Sequence, residues 1–237
     1  MSDENAVSVL STTAFKTTLE ALASEFERLS GKRLVASFGP SVRISERLVA
    51  GEAIDVVLIA DEGVDQLIAR GVVSQGSRID IARSDIAVAV VAGAKSPDVS
   101  SVERFKQALL DAKSIALSNP AGGGRSGLHM QSVLEQLDLV DVLKPKIVYG
   151  GGGPQGLISL LLANGKAELG IQQKPELMAV PGIDVVGPLP GDLQSTTVFS
   201  IGTPVLAQHR DAASVLTTML RTSAGIDAMR ANGLEPV

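Results

Sequence analysis

The sequence predicts an α/β protein in two lobes, and three observations carry that prediction. Short apolar runs alternate with amphipathic segments along most of the chain, the signature of strands followed by helices. Asp55 to Ala60 reads as a strand dominated by a continuous apolar run, the kind buried on both faces of a parallel sheet. A strand followed by a Ser/Thr or Gly/Pro turn and then a helix recurs four times, at Ser11-Thr12, Gly39 to Arg43, Gly122 to Ser126 and Gly150 to Gln155. Ligands of open α/β sheets bind outside the carboxyl ends of the strands, so two lobes facing across a cleft would gather all four turns.

The elements follow in order. Val7 to Leu10 is a short strand. Phe15, Leu19, Leu22 and Phe26 then recur at helical spacing, with Ser11 or Thr12 as the expected N-cap. Leu34 to Phe38 is a second strand, ending at Gly39-Pro40-Ser41, and Ile44 and Leu48 mark the next helix, which ends at Gly51. Ile81 to Val91 is the longest β-rich run, broken by Ser96-Pro97-Asp98, and Val102 to Leu110 is helical. A strand at Ser114 to Leu117 feeds the stretch Ser118 to Met130, and Met130, Val133, Leu134 and Leu137 continue it as a helix. Ile147 to Tyr149, Leu169 to Gln172 and Thr196 to Ile201 read as further strands. Leu157 to Leu162, Ala212 to Leu220 and Ile226 to Ala231 read as helices.

Composition narrows the function. Aromatics make up 3% of the chain and the net charge is −5, so there is neither a stacking platform nor a basic footprint for nucleic acid. The chain has no cysteine and two well-separated histidines, which argues against thiolate chemistry and against a histidine-rich metal site. No metal and no cofactor are expected. The longest apolar run, Ile86 to Ala92, is too short to span a bilayer, so no membrane insertion is expected. The acidic start Met-Ser-Asp-Glu-Asn shows no charged n-region or apolar h-region. The expected location is therefore cytoplasmic as the chain is written, and periplasmic if a signal peptide was removed.

Against this negative background, Ser118 to Met130 is built for an anion. Gly122 to Gly124 allow close main-chain approach, unpaired N–H groups face the start of a helix, and Arg125 supplies a planar fork matched to carboxylates. The other turns offer comparable donors. Ser11, Thr12, Gly39, Ser41, Arg43, Gly124, Arg125, Ser126, Gly153, Pro154, Gln155 and Gln173 are the candidate binding residues. No Gly-Lys-Ser/Thr ending follows Gly122 to Gly127, so a P-loop is excluded.

Several stretches resemble the molybdate-binding branch of the type II periplasmic solute-binding proteins. They are Val7 to Phe15, Phe38-Gly39-Pro40-Ser41 to Leu48, Gly51-Glu52-Ala53-Ile54-Asp55-Val56-Val57 to Ala60, and Gly170-Ile171-Gln172-Gln173. The resemblance implies two Rossmann-like lobes, residues 1–83 with 192–237 and residues 84–191, hinged by crossing strands near 81–91 and 192–201. By similarity, Ser11 and Ser41 match two oxyanion-binding serines. The position of a ligand-binding tyrosine falls on Gln173, while Arg43 and Arg125 stand at the loops and Arg83 at the first crossover. Arginine forks suit planar carboxylates, so an organic di- or tricarboxylate is expected in place of molybdate.

Two functions remain open. The solute-binding fold also hosts aconitate isomerase-like enzymes, which the resemblance extends to. Such an activity would move a proton along an allylic tricarboxylate, interconverting cis- and trans-aconitate, with Arg43 and Arg125 as the clamp. The candidate bases are His129, in the first turn after the loop, and Lys16, at the start of the first helix. Gln155, Gln172 and Gln173 can orient a substrate but cannot act as bases. The alternative is a non-catalytic binding protein for molybdate or another small anion. It would serve an ABC importer, whose permease would be its partner, or act as a cytoplasmic sensor.

Overall fold

A computed structural model describes residues 3–151 and 153–237. Met1, Ser2 and Gly152, the last within the expected Gly150–Gln155 turn, lie outside the described residues. The elements run β1 (Ala6–Ser11), α1 (Lys16–Ser30), β2 (Arg33–Phe38), α2 (Ser41–Val49), β3 (Val56–Ala60), α3 (Asp61–Ala69) and β4 (Ile79–Val91). Next come α4 (Val102–Asp111), β5 (Ile115–Ser118), α5 (Arg125–Gln136), α6 (Val140–Leu143), β6 (Ile147–Gly150), α7 (Ile158–Ala163), β7 (Leu169–Gln173) and α8 (Lys174–Met178). The chain ends with β8 (Ile183–Pro188), β9 (Thr196–Gly202), α9 (Arg210–Leu220), α10 (Ser223–Ala231) and β10 (Glu235–Pro236).

The chain divides into two compact units, Met1–Arg83 with Thr197–Val237, and Ser84–Thr196. In the first, β2, β1 and β3 are parallel neighbours and β9 runs antiparallel beside β3. All five residues of β3 are buried, as a strand covered on both faces requires. On one face lie α1, α9 and α10. Leu19, Leu22 and Phe26 of α1 pack with Leu216, Leu220 and Met229, and Phe15 meets Phe199 edge to face at 5.5 Å. On the other face, Ile44 and Leu48 of α2 and Val64 and Leu67 of α3 cover Val57 and Ile59. Each such side chain removed from water contributes roughly 1.5–3 kcal/mol.

The second unit has parallel strands β7, β5 and β6 in that order, with antiparallel β4 beside β7. β8 pairs antiparallel with β4, with a register shift between Val88 and Ala89. Phe105 and Leu109 of α4 and Met130, Val133 and Leu134 of α5 fill one face. Ile158 and Leu162 of α7 and Leu177 of α8 fill the other. α7 can lie close on β7 because position 170 is glycine, where a methyl group would sit 2.7 Å from Ile158.

Two local expectations are corrected. Neither Ser11 nor Thr12 caps α1: a 3-10 turn over Thr13–Phe15 intervenes, so α1 begins only at Lys16. Ser11 Oγ instead donates to the Thr12 carbonyl at 3.1 Å. His129 lies in the second turn of its helix, because α5 already starts at Arg125. α3 was not anticipated; it shows a sequence reader only Val64 and Leu67 as a buried stripe.

One tie in the first unit binds three separate parts of the chain. Asp55, 4% exposed and just before β3, accepts five hydrogen bonds on its carboxylate. Ser8 of β1 gives its N–H at 2.9 Å and its hydroxyl at 2.8 Å. The N–H groups of Gln208 and His209, just before α9, reach the other oxygen at 2.9 and 2.8 Å, while His209 Nδ1 lies 3.2 Å from the oxygen that Ser8 binds. Burial alone pushes this carboxyl upward, but the donated hydrogen bonds outweigh it and bring it down to about 2.

Candidate functional site

Each unit presents candidate residues at the carboxyl ends of its parallel strands, where βα turns leave polar main chain without ladder partners. In the first unit, β1 stays joined to both neighbours at its end: Gly39 N, just past β2, donates to Ser11 O at 3.1 Å, and Thr12 N donates to Leu58 O of β3 at 3.0 Å. This sets Ser11, Thr12, Gly39 and Ser41 together. Ser11 is fully buried and Thr12 is 7% exposed, yet Thr12 Oγ1 has no hydrogen-bond partner among the described residues. A buried hydroxyl in that state is costly unless a further oxygen or nitrogen satisfies it, and a ligand oxygen would do so. Ser41 opens α2 with Pro40 as the N-cap, leaving the first N–H groups of that helix without intrahelical acceptors. Its hydroxyl accepts from Ala60 N only at 3.5 Å.

The basic residues of this unit are more committed. Arg43 lies in the first turn of α2, mostly exposed, and its guanidinium pairs with Glu46 at 2.8 Å. Arg47 pairs with Glu52 at 2.6 Å, and Arg83 with Glu235 at 3.0 Å, both as solvated surface pairs. Lys16 opens α1 with its ammonium on the Glu20 carboxylate at 2.6 and 2.7 Å. As an exposed i,i+4 pair, this contact holds Lys16 only weakly.

In the second unit the loop after β5 is tightly folded. Asn119 accepts from Ala121 N at 3.0 Å, a 3-10 turn covers Pro120–Gly122, and Gly123 takes φ +74°, which lets the chain turn back into α5. Gly124 is the N-cap of α5, so the N–H groups of Arg125, Ser126 and Gly127 have no intrahelical acceptors. Ser126 Oγ donates to Ser118 Oγ at 3.2 Å, and both serines are buried. Arg125 is half-buried at the head of a twelve-residue helix. There, dipole, N–H groups and guanidinium all favour an anion. Asn119 N donates to Gly150 O at 3.2 Å, joining this loop to the one after β6. In that second loop Gly153 has φ +74° and ψ −172°, and Pro154–Gly156 forms a 3-10 turn. Gln155 is exposed, whereas Gln172 and Gln173 are buried at the end of β7. Gln172 Oε1 accepts from Ile158 N at 2.9 Å.

The helix start is pressed onto the strand it serves. A methyl group at Gly127 would stand 2.5 Å from Ser118 O and 3.2 Å from Pro120 N. Gly127→Ala is expected to push the first turn of α5 off β5, at a cost of about 2 kcal/mol and a melting temperature roughly 5 °C lower. Anion affinity should fall with it. Unchanged melting and affinity in calorimetry would show that the loop yields without disturbing the site.

His129, one turn beyond Arg125, is half-buried with Nε2 at 2.8 Å from Leu193 O. A carbonyl can only accept, so Nε2 carries the proton and the ring is fixed against the segment before β9. Sequence reading placed Ser118 at the start of the anion-directed stretch but did not count it among the binding residues. It also missed Glu176, the one carboxylate between Leu169 and Ile183. Among the described residues no helix is long and apolar enough to cross a membrane.

Comparison with known proteins places this geometry. A family model described as bacterial extracellular solute-binding protein matches residues 7–235. An aconitate isomerase from Pseudomonas sp is 36% identical over 98% of this chain and 88% of its own length. The molybdate-binding protein ModA of Escherichia coli strain K12 is 22% identical over 90% of this chain and 81% of its own. Among solved structures, the periplasmic molybdate-binding protein of Azotobacter vinelandii superposes with a TM-score of 0.78. It is 24% identical, with 96% of this chain and 98% of that one covered.

Proposed function

The chain belongs to the bacterial extracellular solute-binding protein family, and from that premise we propose that it is an isomerase of a small tricarboxylate, interconverting cis- and trans-aconitate by a 1,3-proton shift. The observation that carries the reading is 36% identity with an aconitate isomerase over 98% of the chain. The residues at the anion-directed ends are consistent with it. Arg125 at the head of α5 supplies the fork that a carboxylate takes bidentately. The first N–H groups of α5, which have no intrahelical acceptors, would take further carboxylate oxygens there; in the first unit, the Thr12 and Ser41 hydroxyls and the first N–H groups of α2 are anion-directed donors of the same kind. Arg43, at that end of the first unit, could exchange its exposed partner Glu46 for an anion, since a surface pair holds it only weakly.

The reaction needs a base to take a proton from the methylene carbon, cationic and N–H donors to hold the delocalised carbanion, and return of the proton to the far carbon. Of the groups expected to act as base, His129 has Nδ1 to offer, with Nε2–H fixed on Leu193 O. The family description favours the second of the two locations considered, outside the cytoplasmic membrane.

A second reading has its own support: fold agreement with a molybdate-binding protein at a TM-score of 0.78 fits a non-catalytic binder of a small anion, serving an ABC importer. Against molybdate, position 173, matched by resemblance to a tyrosine, is glutamine. One experiment separates the two. Purified protein is given cis-aconitate in heavy water and followed by proton NMR. Trans-aconitate, or loss of the methylene signal to deuterium, is expected. Heat on titrating cis-aconitate with an unchanged spectrum would sink the isomerase and leave a carboxylate-binding protein. Neither heat nor turnover, with heat on adding molybdate, would favour the oxyanion binder.

A further inference from the structure

A carboxyl group that the sequence pattern did not single out stands at the ligand-directed end of the second unit. Glu176 is the third residue of α8, which begins directly after Gln173 at the end of β7. It therefore shares an end of the sheet with Ser118, Arg125 and the two glutamines. Its position is fixed from α7: Ser159 Oγ donates to the Glu176 carbonyl at 2.9 Å. Gln172, whose Oε1 already accepts from Ile158 N, hydrogen-bonds the Glu176 carboxyl. The surroundings are short of charge. The elements packed against α8 are α7, β7 and β8. The first two contribute no charged side chain; β8 contributes Asp184, held by Gly93 N at 2.9 Å, and α8 itself adds only Lys174. Burial pushes the Glu176 carboxyl up to about 7, opposed only by the Gln172 hydrogen bond. A carboxyl so placed passes between its acid and base forms near neutrality, which proton transfer requires of a catalyst.

We infer that Glu176 is the catalytic acid–base group that carries the proton between the two carbons of the bound tricarboxylate, an inference that rests on the isomerase reading. The ionised carboxylate takes a proton from the methylene carbon, and the C–H electron pair enters the adjoining C=C–carboxylate system. The double bond moves over by one carbon. The Glu176 carboxylic acid then returns the proton to the far carbon and regenerates its carboxylate, so no oxidant, reductant or co-reactant is consumed. His129, with Nε2–H on Leu193 O and Nδ1 open, is the alternative base, and the Glu176 variants below distinguish the two.

The test uses the full chain, cis-aconitate and the heavy-water NMR assay. Glu176→Gln keeps the size of the side chain and the polar contacts of the protonated acid, so a purely structural role would survive it. The variant is expected to fold and to bind cis-aconitate within about threefold of the wild type, while turnover falls roughly 100- to 10,000-fold. Wild-type turnover should rise with pH through about 7 as the carboxylate forms. Glu176→Asp should keep measurable turnover. If Glu176→Gln fails to fold, carbon-13-labelled glutamate in the wild type takes its place. The resonance missing from Glu176→Asp should then titrate at the midpoint of the rate profile, and a mismatch overturns the inference. An active Glu176→Gln overturns it too and leaves the isomerase standing. A wild type that binds cis-aconitate without turning it over overturns the isomerase reading, and this inference with it.

Discussion

Arg125→Ala should lower affinity for cis-aconitate about 100-fold, close to 3 kcal/mol, while shifting the melting temperature by only about 3 °C. The two effects separate because of where the residue stands. Arg125 is the first residue of α5 and half-buried, and the core stripe of that helix is Met130, Val133 and Leu134, which the substitution leaves alone. What it removes is a permanent charge beside three N–H groups that have no intrahelical acceptors, and a planar fork matched to carboxylate geometry. Arg125→Lys restores the charge without the fork, so affinity should recover only in part. Calorimetric titration of the three proteins checks both statements. A large fall in melting temperature with intact binding would make Arg125 a structural residue. Binding equal in Lys and Arg forms would mean that charge alone is read there.

Much of this architecture was legible because local pattern and burial agree. β3 reads as a buried strand and is one, and the spacing of Leu19, Leu22 and Phe26 puts one face of α1 on the sheet. The turns with glycine, serine and arginine could be found because their residue types are needed for close main-chain approach. What could not be read depends on partners far away in the chain. Nothing near Thr12 announces that its hydroxyl has no partner among the described residues, or that a 3-10 turn displaces the start of α1. Glu176 looks like an ordinary helix-start acid until α7, β7 and β8 pack against its helix with little charge and leave it half-buried. The stretch from Gly51 to Ala60 carries part of the resemblance, but the sequence does not show why it holds Asp55. The donors to Asp55 lie 47 residues before it and about 150 after it.

That aspartate gives the largest expected effect on stability. Asp55→Ala would take away the acceptor of the Ser8, Gln208 and His209 N–H groups and of the Ser8 hydroxyl and leave a void in its place. Losing the buried partner of so many donors costs about 3–5 kcal/mol, which should lower the melting temperature by roughly 10 °C for a chain of this size. Asp55→Asn should rescue little. Its remaining oxygen can serve either Ser8 or the pair Gln208 and His209, and its amide then points hydrogens at the other donors. The same contact fixes the acid response. The carboxyl stands at about 2 in the folded chain against 3.8 as its ordinary value, so its contribution is fully present above about pH 4. As the pH falls from there towards 2 and below, protonation removes about 2 kcal/mol of stability. Denaturant unfolding of the wild type between pH 5 and 2 should show this loss, and Asp55→Asn should lack that share of it. An equal acid loss in both proteins would assign it to other carboxylates and reduce the tie at Ser8, Asp55 and His209 to ordinary packing.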